Sequence, residues 1–308
     1  MGQQGAAQSA DKQPTDITLQ DACNLYTLDN KARGLSASTI ASYEKKMAFF
    51  VAWCIDERIT MLHEITPIHL RKFLVAIQER DLSNRYQVNL AKTVKTFFNY
   101  CVRDELLAET PFAKVRIPKQ KKKILPSFSA EQVKALVKAC RNPRDLAICH
   151  VLLDSGVRAS ELLGLNVGDV DMRTGTVAVK DGKGGKDRVT YIGSKTQKVV
   201  YQYLLERGKP IGEAPLFVSL TSGNRLTLFG LAQLMERLRL ATGVACCTAH
   251  TFRRTFAIAC LRNGMNIYVL ARLMGHVDII VLKQYLDLID DDTHASHKRH
   301  GPADNWRL

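Results

Sequence analysis

Long apolar runs are missing from this 308-residue chain: charge interrupts every hydrophobic stretch before about 18 residues, which argues against a membrane span although 46% of the residues are apolar. No C-x-x-C pair occurs among the eight cysteines, Cys23, Cys54, Cys101, Cys140, Cys149, Cys246, Cys247 and Cys260, and the adjacent Cys246 and Cys247 have no second Cys or His pair at zinc-finger spacing. Reduced thiols acting as small hydrophobes are expected instead. His294, His297 and His300 recur every three residues on a polar tail, which is no metal signature, so no metal and no cofactor are expected. The G-x-x-x-x-G-K-[ST] phosphate loop is absent, which argues against an ATP site. Self-similarity at a period of roughly 20 to 50 residues is absent too, which argues against a solenoid. The opening MGQQGAAQSADKQPT is small and polar, so a disordered tail over residues 1–15 and cytoplasmic residence are expected.

What the chain has in excess is positive charge. Its 44 Lys and Arg against 30 Asp and Glu give a formal +14, which favours a polyanionic partner through counterion release, with nucleic acid ahead of a merely basic soluble surface.

Apolar residues recur at helical spacing through the first hundred positions, as in Leu19, Cys23, Tyr26 and in Ile40, Tyr43, Met47, Phe50, Cys54, so residues 16–110 should form a helical bundle. Thr66-Pro67 should start its third helix and Ser83 its fourth, with Leu90, Val94, Phe97 and Cys101 on one stripe. Residues 111–128 hold Pro111, Pro118 and Pro126 with Lys114, Arg116, Lys119, Lys121, Lys122 and Lys123 and no acid, as expected of a basic interdomain linker. Lys119, Lys121, Lys122 and Lys123 are candidates for contact with a DNA backbone, and a plainly solvated linker is the alternative.

A second domain, 129–290, opens with the Ser129–Gln132 capping pair. A helix near 143–154 should end at Gly156. The period then switches to two in Thr176–Lys180 and Arg188–Ile192, joined by a glycine-rich stretch, which predicts a β-hairpin with a lysine-bearing loop. A short strand is expected at Leu216–Val218, helices through about Leu288, and a tail over 291–308. The fold class is therefore mainly α with a small antiparallel sheet.

Three local patterns can carry chemistry. Arg158 follows the helix-ending Gly156 and either awaits an anion or simply pairs with Glu161 three residues on. His250 and Arg253 share one helix face, which suits a common oxyanion, although H-x-x-R is a frequent pattern. His276 precedes Tyr285 by nine residues, and nine residues of unbroken helix would put the two on opposite faces, so a turn at Gly275 or Asp278 is required for them to meet.

The order of SGVRASEL, GKGGKDR, HTFRR, LMGH and the following tyrosine resembles the tyrosine recombinase or phage integrase family, particularly its two-domain Xer-like members. The Ser36, Thr39, Ile40, Tyr43 pattern and the TPFAKVRIP run resemble that family's SAM-like core-binding domain and interdomain junction, so the likeness spans about residues 16–290. It implies a C-shaped clamp on DNA in which Arg158 and Arg253 hold the scissile phosphate, His250 and His276 contact its oxygens or move protons, Lys183 is the general acid and Tyr285 the nucleophile. Glu161 is a supporting residue, and Lys186, Arg188 and Arg254 join the backbone-contact candidates. The resemblance further implies a 3′-phosphotyrosyl intermediate, a homotetramer on paired inverted-repeat sites in double-stranded DNA, and exchange through a Holliday junction. Type IB topoisomerase-like relaxation and non-catalytic DNA binding are the alternatives. Met274, Ala249, Val281-Leu282 and Asp287 depart from the family pattern and put packing and regulation near the nucleophile in doubt.

Overall fold

The computed structural model describes residues 16–119, 126–180 and 187–275. The chain divides into two compact units, Met1–Lys123 and Ile124–Leu308. No helix among the described residues is long and apolar enough to cross a membrane.

The first unit contains α1 (Leu19–Ala32), α2 (Ala37–Asp56), α3 (Pro67–Glu79) and α4 (Asn84–Arg103). Each begins where a hydroxyl accepts a backbone N–H that the helix cannot satisfy itself: Thr18 from Asp21, Ser36 from Thr39, Thr66 from His69 and Ser83 from Tyr86. The inward stripes meet in an aromatic core. Phe73 packs edge-on against Phe50 at 4.9 Å and Trp53 at 5.3 Å, and Phe97 against Phe98 at 5.2 Å. Cys23, Cys54 and Cys101 fill gaps among these rings, and burial pushes the Cys23 and Cys54 thiols up to about 12, so they behave as small hydrophobes.

The linker expected over 111–128 is narrower. Phe112 and Val115 are buried in the first unit, Phe112 lying 5.9 Å from Phe98, and Ile117 packs on the same core. At the other end Phe128 stacks edge-on against Phe252 at 4.9 Å inside the second unit. The segment's apolar side chains anchor it at both ends, while Lys114, Arg116 and Lys119 stay exposed.

The second unit contains α5 (Ala130–Lys138), α6 (Pro143–Ser155), α7 (Ala159–Gly164), β1 (Thr176–Val179), β2 (Arg188–Tyr191), α8 (Ser194–Glu206), α9 (Leu228–Thr242), α10 (Ala249–Arg262) and α11 (Ile267–Met274). α6 is its buried centre: Ala147, Ile148, Cys149 and Leu152 are fully enclosed, with α8 and α10 packed on it. β1 and β2 pair antiparallel, Thr176 opposite Tyr191 and Val179 opposite Arg188. The strand expected at Leu216–Val218 does not form. Leu216 N–H donates to Leu165 O at 2.9 Å and Val218 N–H to the Tyr203 hydroxyl at 3.3 Å, leaving only isolated bridges at Pro215 and Val218. With the donors directed to different partners, no ladder can propagate. A satellite core joins α10 to α11 through Phe256, Ile258, Leu270 and Met274.

Candidate active site

α6 stops at Gly156, whose φ of +62° lies in the left-handed region. The ring of Phe256 is pressed against the glycine so closely that a Cβ would fall 2.3 Å from its Cδ1, so glycine is required by both dihedral and space. Two residues on, Arg158 takes the N-cap position of α7, and its backbone N–H donates to Glu161 Oε2 at 2.7 Å. The Arg158 side chain returns to the same carboxylate, Nη1 to Oε1 at 2.6 Å. Pairing of Arg158 with Glu161 is thus real, but it is not an exposed helix pair: the Glu161 side chain is only 4% exposed and that of Arg158 26%.

Glu161 serves a second guanidinium. Arg188, the first residue of β2, places Nη1 2.8 Å from Oε1 and Nη2 2.6 Å from Oε2, a two-pronged pair on a side chain 9% exposed. Arg253, in the second turn of α10, brings its Nη1 to 3.8 Å from Oε2. Burial pushes the Glu161 carboxyl up, but donation by the Arg188 side chain, the Arg158 N–H and the Arg158 side chain outweighs it and holds the group at about 2.

The same three arginines cap the end of α11. Arg188 Nε donates to Leu273 O at 2.9 Å, Arg253 Nη2 to Met274 O at 2.6 Å, and Arg158 Nη2 to Gly275 O at 3.3 Å. A helix C-terminus presents carbonyls without internal partners and the negative end of the helix dipole, so three consecutive carbonyls attract three cations. Gly275, at φ +64°, closes the helix directly before His276. Arg253 Nη1 also donates to Gly156 O, which joins the end of α6 to the end of α11. Thr190 Oγ1 donates to Ser155 O at 2.8 Å and fixes β2 to the same corner.

The expected site residues fall into three groups. Arg158, Glu161 and Arg253 come together, with His250 exposed in the first turn of α10. Lys183, His276, Tyr285, Lys121, Lys122, Lys123 and Lys186 lie outside the described residues. Of the backbone-contact candidates Arg188 and Arg254, the first is half-buried and the second buried, and both are engaged within the protein. Arg188 is occupied by Glu161 and Leu273, and Arg254, 4% exposed, donates to Pro126 O and holds the start of the second unit. Lys119 remains exposed. Sequence reasoning missed Arg188 as a partner of Glu161, although the period of two sets it on the face of the buried Thr190. Among the described residues no cluster of His, Cys, Asp or Glu suits a metal ion.

The Phage integrase family model matches residues 126–291, and the Phage integrase N-terminal SAM-like domain model matches residues 28–105. The chain belongs to the phage integrase family of tyrosine recombinases. Tyrosine recombinase XerD of Pseudomonas aeruginosa is 30% identical over 279 residues, covering 88% of this chain and 93% of the relative. Tyrosine recombinase XerC of Roseiflexus castenholzii is 28% identical over 282 residues, covering 88% and 89%. The crystal structure of XerH site-specific recombinase bound to palindromic difH substrate superposes with a TM-score of 0.72 at 19% identity, covering 93% of this chain and 85% of that one, and so shares the fold. The arginine and glutamate cluster lies within the segment matched by the integrase model, and the four-helix unit within or around the SAM-like match.

Proposed function

We propose that this integrase-family chain recombines DNA at specific sites by cutting and rejoining strands through Tyr285. The observation that carries the reading is the convergence of Arg158, Arg188 and Arg253 on one buried carboxylate and on the last three carbonyls before His276. Phosphoryl transfer asks a protein mainly to position its reactants and to stabilise charge on the non-bridging oxygens, and guanidinium forks supply both without a metal.

In the proposed reaction Arg158 and Arg253 hold the non-bridging oxygens of the scissile phosphate, with His250 and His276 donating hydrogen bonds or transferring protons. Tyr285 gives its proton to one of these histidines acting as base, its Oη forms a bond to phosphorus as the bond to the 5′ oxygen breaks, and Lys183 protonates the departing oxygen. The 3′-phosphotyrosyl link keeps the energy of the broken bond, so attack by a 5′ hydroxyl of the partner strand releases the phenol and reseals DNA without ATP. Exchange between two inverted-repeat duplex sites proceeds through a Holliday junction within a homotetramer acting in the cytoplasm. Lys119 and the lysines at 121 to 123 and 186 contact the backbone.

A nicked suicide substrate resolved on a denaturing gel tests the chemistry. The wild type is expected to form a covalent adduct that Tyr285→Phe does not. Equal adduct from both, or none from either under conditions where DNA is bound, overturns the reading. Relaxation of a plasmid lacking any cognate site, without recombinants, would favour a topoisomerase.

A further inference from the structure

We propose that Arg188 is a positioning residue that takes up the charge of Glu161 so that Arg158 and Arg253 keep theirs for the phosphate; this rests on the function proposed above. Three guanidiniums surround one carboxylate, so cations outnumber the anion around Glu161. How that surplus is shared depends on which arginine Glu161 prefers. Arg188 is the one that engages both of its oxygens through Nη1 and Nη2, at 2.8 and 2.6 Å, and its Nε is held by Leu273 O at 2.9 Å. All three donor nitrogens of Arg188 are therefore engaged, two by Glu161 and one by Leu273 O.

Arg158, by contrast, gives Glu161 one side-chain hydrogen bond and is 26% exposed, and Arg253 approaches only to 3.8 Å. Were Arg188 absent, the carboxylate would turn to these two. A buried carboxylate binds whatever cation remains, and each one it captures is lost to the phosphate oxygens, where charge increases in the transition state. Arg188 thus acts through Glu161 on Arg158 and Arg253. It also fixes where they sit: its Cδ and Nε lie against Gly275, where a Cβ would meet them at 2.9 and 3.1 Å, so β2, α7 and the end of α11 share one anchor.

Three variants, R188M, R188K and the double variant E161Q/R188M, test this by single-turnover cleavage of the suicide substrate at saturating DNA, with DNA affinity, its salt dependence and the melting temperature measured alongside. R188M is expected to slow cleavage by about 10-fold or more, with affinity and salt slope unchanged. R188K, which keeps the charge but loses the fork, should recover part of the rate. The double variant should cleave faster than R188M, because it removes the carboxylate left without its partner. A general loss of structure cannot produce that reversal. Wild-type cleavage by R188M, or a double variant no faster than R188M, overturns the proposal. A fall in affinity with a salt slope smaller by about 0.9 assigns Arg188 to the DNA backbone instead. Should R188M fail to fold, R188K carries the test: slower cleavage at unchanged affinity supports the proposal and a wild-type rate overturns it. Absence of a Tyr285-dependent adduct in the wild type would sink the proposed function itself, a separate outcome.

Discussion

Arg253 on α10 bridges two helix ends: its guanidinium donates to the carbonyl of Gly156 after α6 and, at 2.6 Å, to that of Met274 at the end of α11. The side chain is 4% exposed, so the bridge lies in the interior. A lysine offers a point charge on a flexible stem and cannot reproduce a planar fork that spans two carbonyls. Arg253→Lys should therefore lower the stability of the second unit by about 2 to 4 kcal/mol and slow adduct formation by about 100-fold or more, whereas a change confined to phosphate binding would leave stability intact. Urea unfolding followed by circular dichroism, beside the suicide-substrate assay, separates the two.

Glu161 supplies a dependence on acid. Its carboxyl stands at about 2, below the ordinary 4.5, which means that the folded chain binds the ionised form better than the unfolded chain does. The stabilisation is present in full above about pH 4.5 and is lost as pH falls from there through about 2. Its size is on the order of 3 kcal/mol at neutral pH. Denaturant unfolding from pH 7 down to pH 3 should show the wild type losing its advantage over Glu161→Gln as the acid limb is entered. A difference between the two proteins that stays constant with pH would show that Glu161 contributes through packing alone.

The starts and ends of helices were legible in the sequence because caps are local: Thr66, Ser83 and Ser129 accept from an N–H three residues on, and Gly156 ends α6 through its own backbone. The hairpin was legible from its period of two, and the motif order pointed to Arg158, Glu161 and Arg253, which the fold brings together. The fates of individual arginines were not. Arg188 finds Leu273 across 85 positions and Arg254 finds Pro126 across 128, and no local pattern states whether a cation will meet a carbonyl so far away. For the same reason Leu216–Val218 reads as a strand but has its donors claimed by Leu165 and Tyr203, and the basic stretch 111–128 reads as a linker although Phe112, Val115 and Phe128 are buried.

The burial of Arg254 and the exposure of Lys119 separate two roles that composition alone treats as one. Arg254 holds Pro126 O, and its buried Nε has no hydrogen-bond partner among the described residues. Arg254→Ala should lower stability by about 1 to 3 kcal/mol and leave the salt slope of DNA affinity unchanged. Lys119→Ala should leave stability unchanged and reduce that slope by about 0.9, the share of a single phosphate contact. Fluorescence anisotropy at several salt concentrations reads both, and a reduced slope in the Arg254 variant would place that guanidinium on DNA.

Gly156 is the position where backbone and packing act together. An alanine there must hold φ near +62° and set its methyl 2.3 Å from Phe256 Cδ1 and 2.5 Å from Cε1. The left-handed dihedral costs roughly 1 to 2 kcal/mol for a residue with a Cβ, and the overpacking about 1 to 3 more. Gly156→Ala should therefore destabilise the second unit by about 2 to 5 kcal/mol and weaken cleavage as well, because the carbonyl it displaces is the one that Arg253 holds. Phe256→Ala removes the colliding ring atoms, so in that background the same glycine change should cost only the dihedral part, about 1 to 2 kcal/mol. A double-mutant cycle on unfolding free energies measures the difference: strict additivity would show that the ring moves aside without cost and that the glycine is required for its dihedral alone.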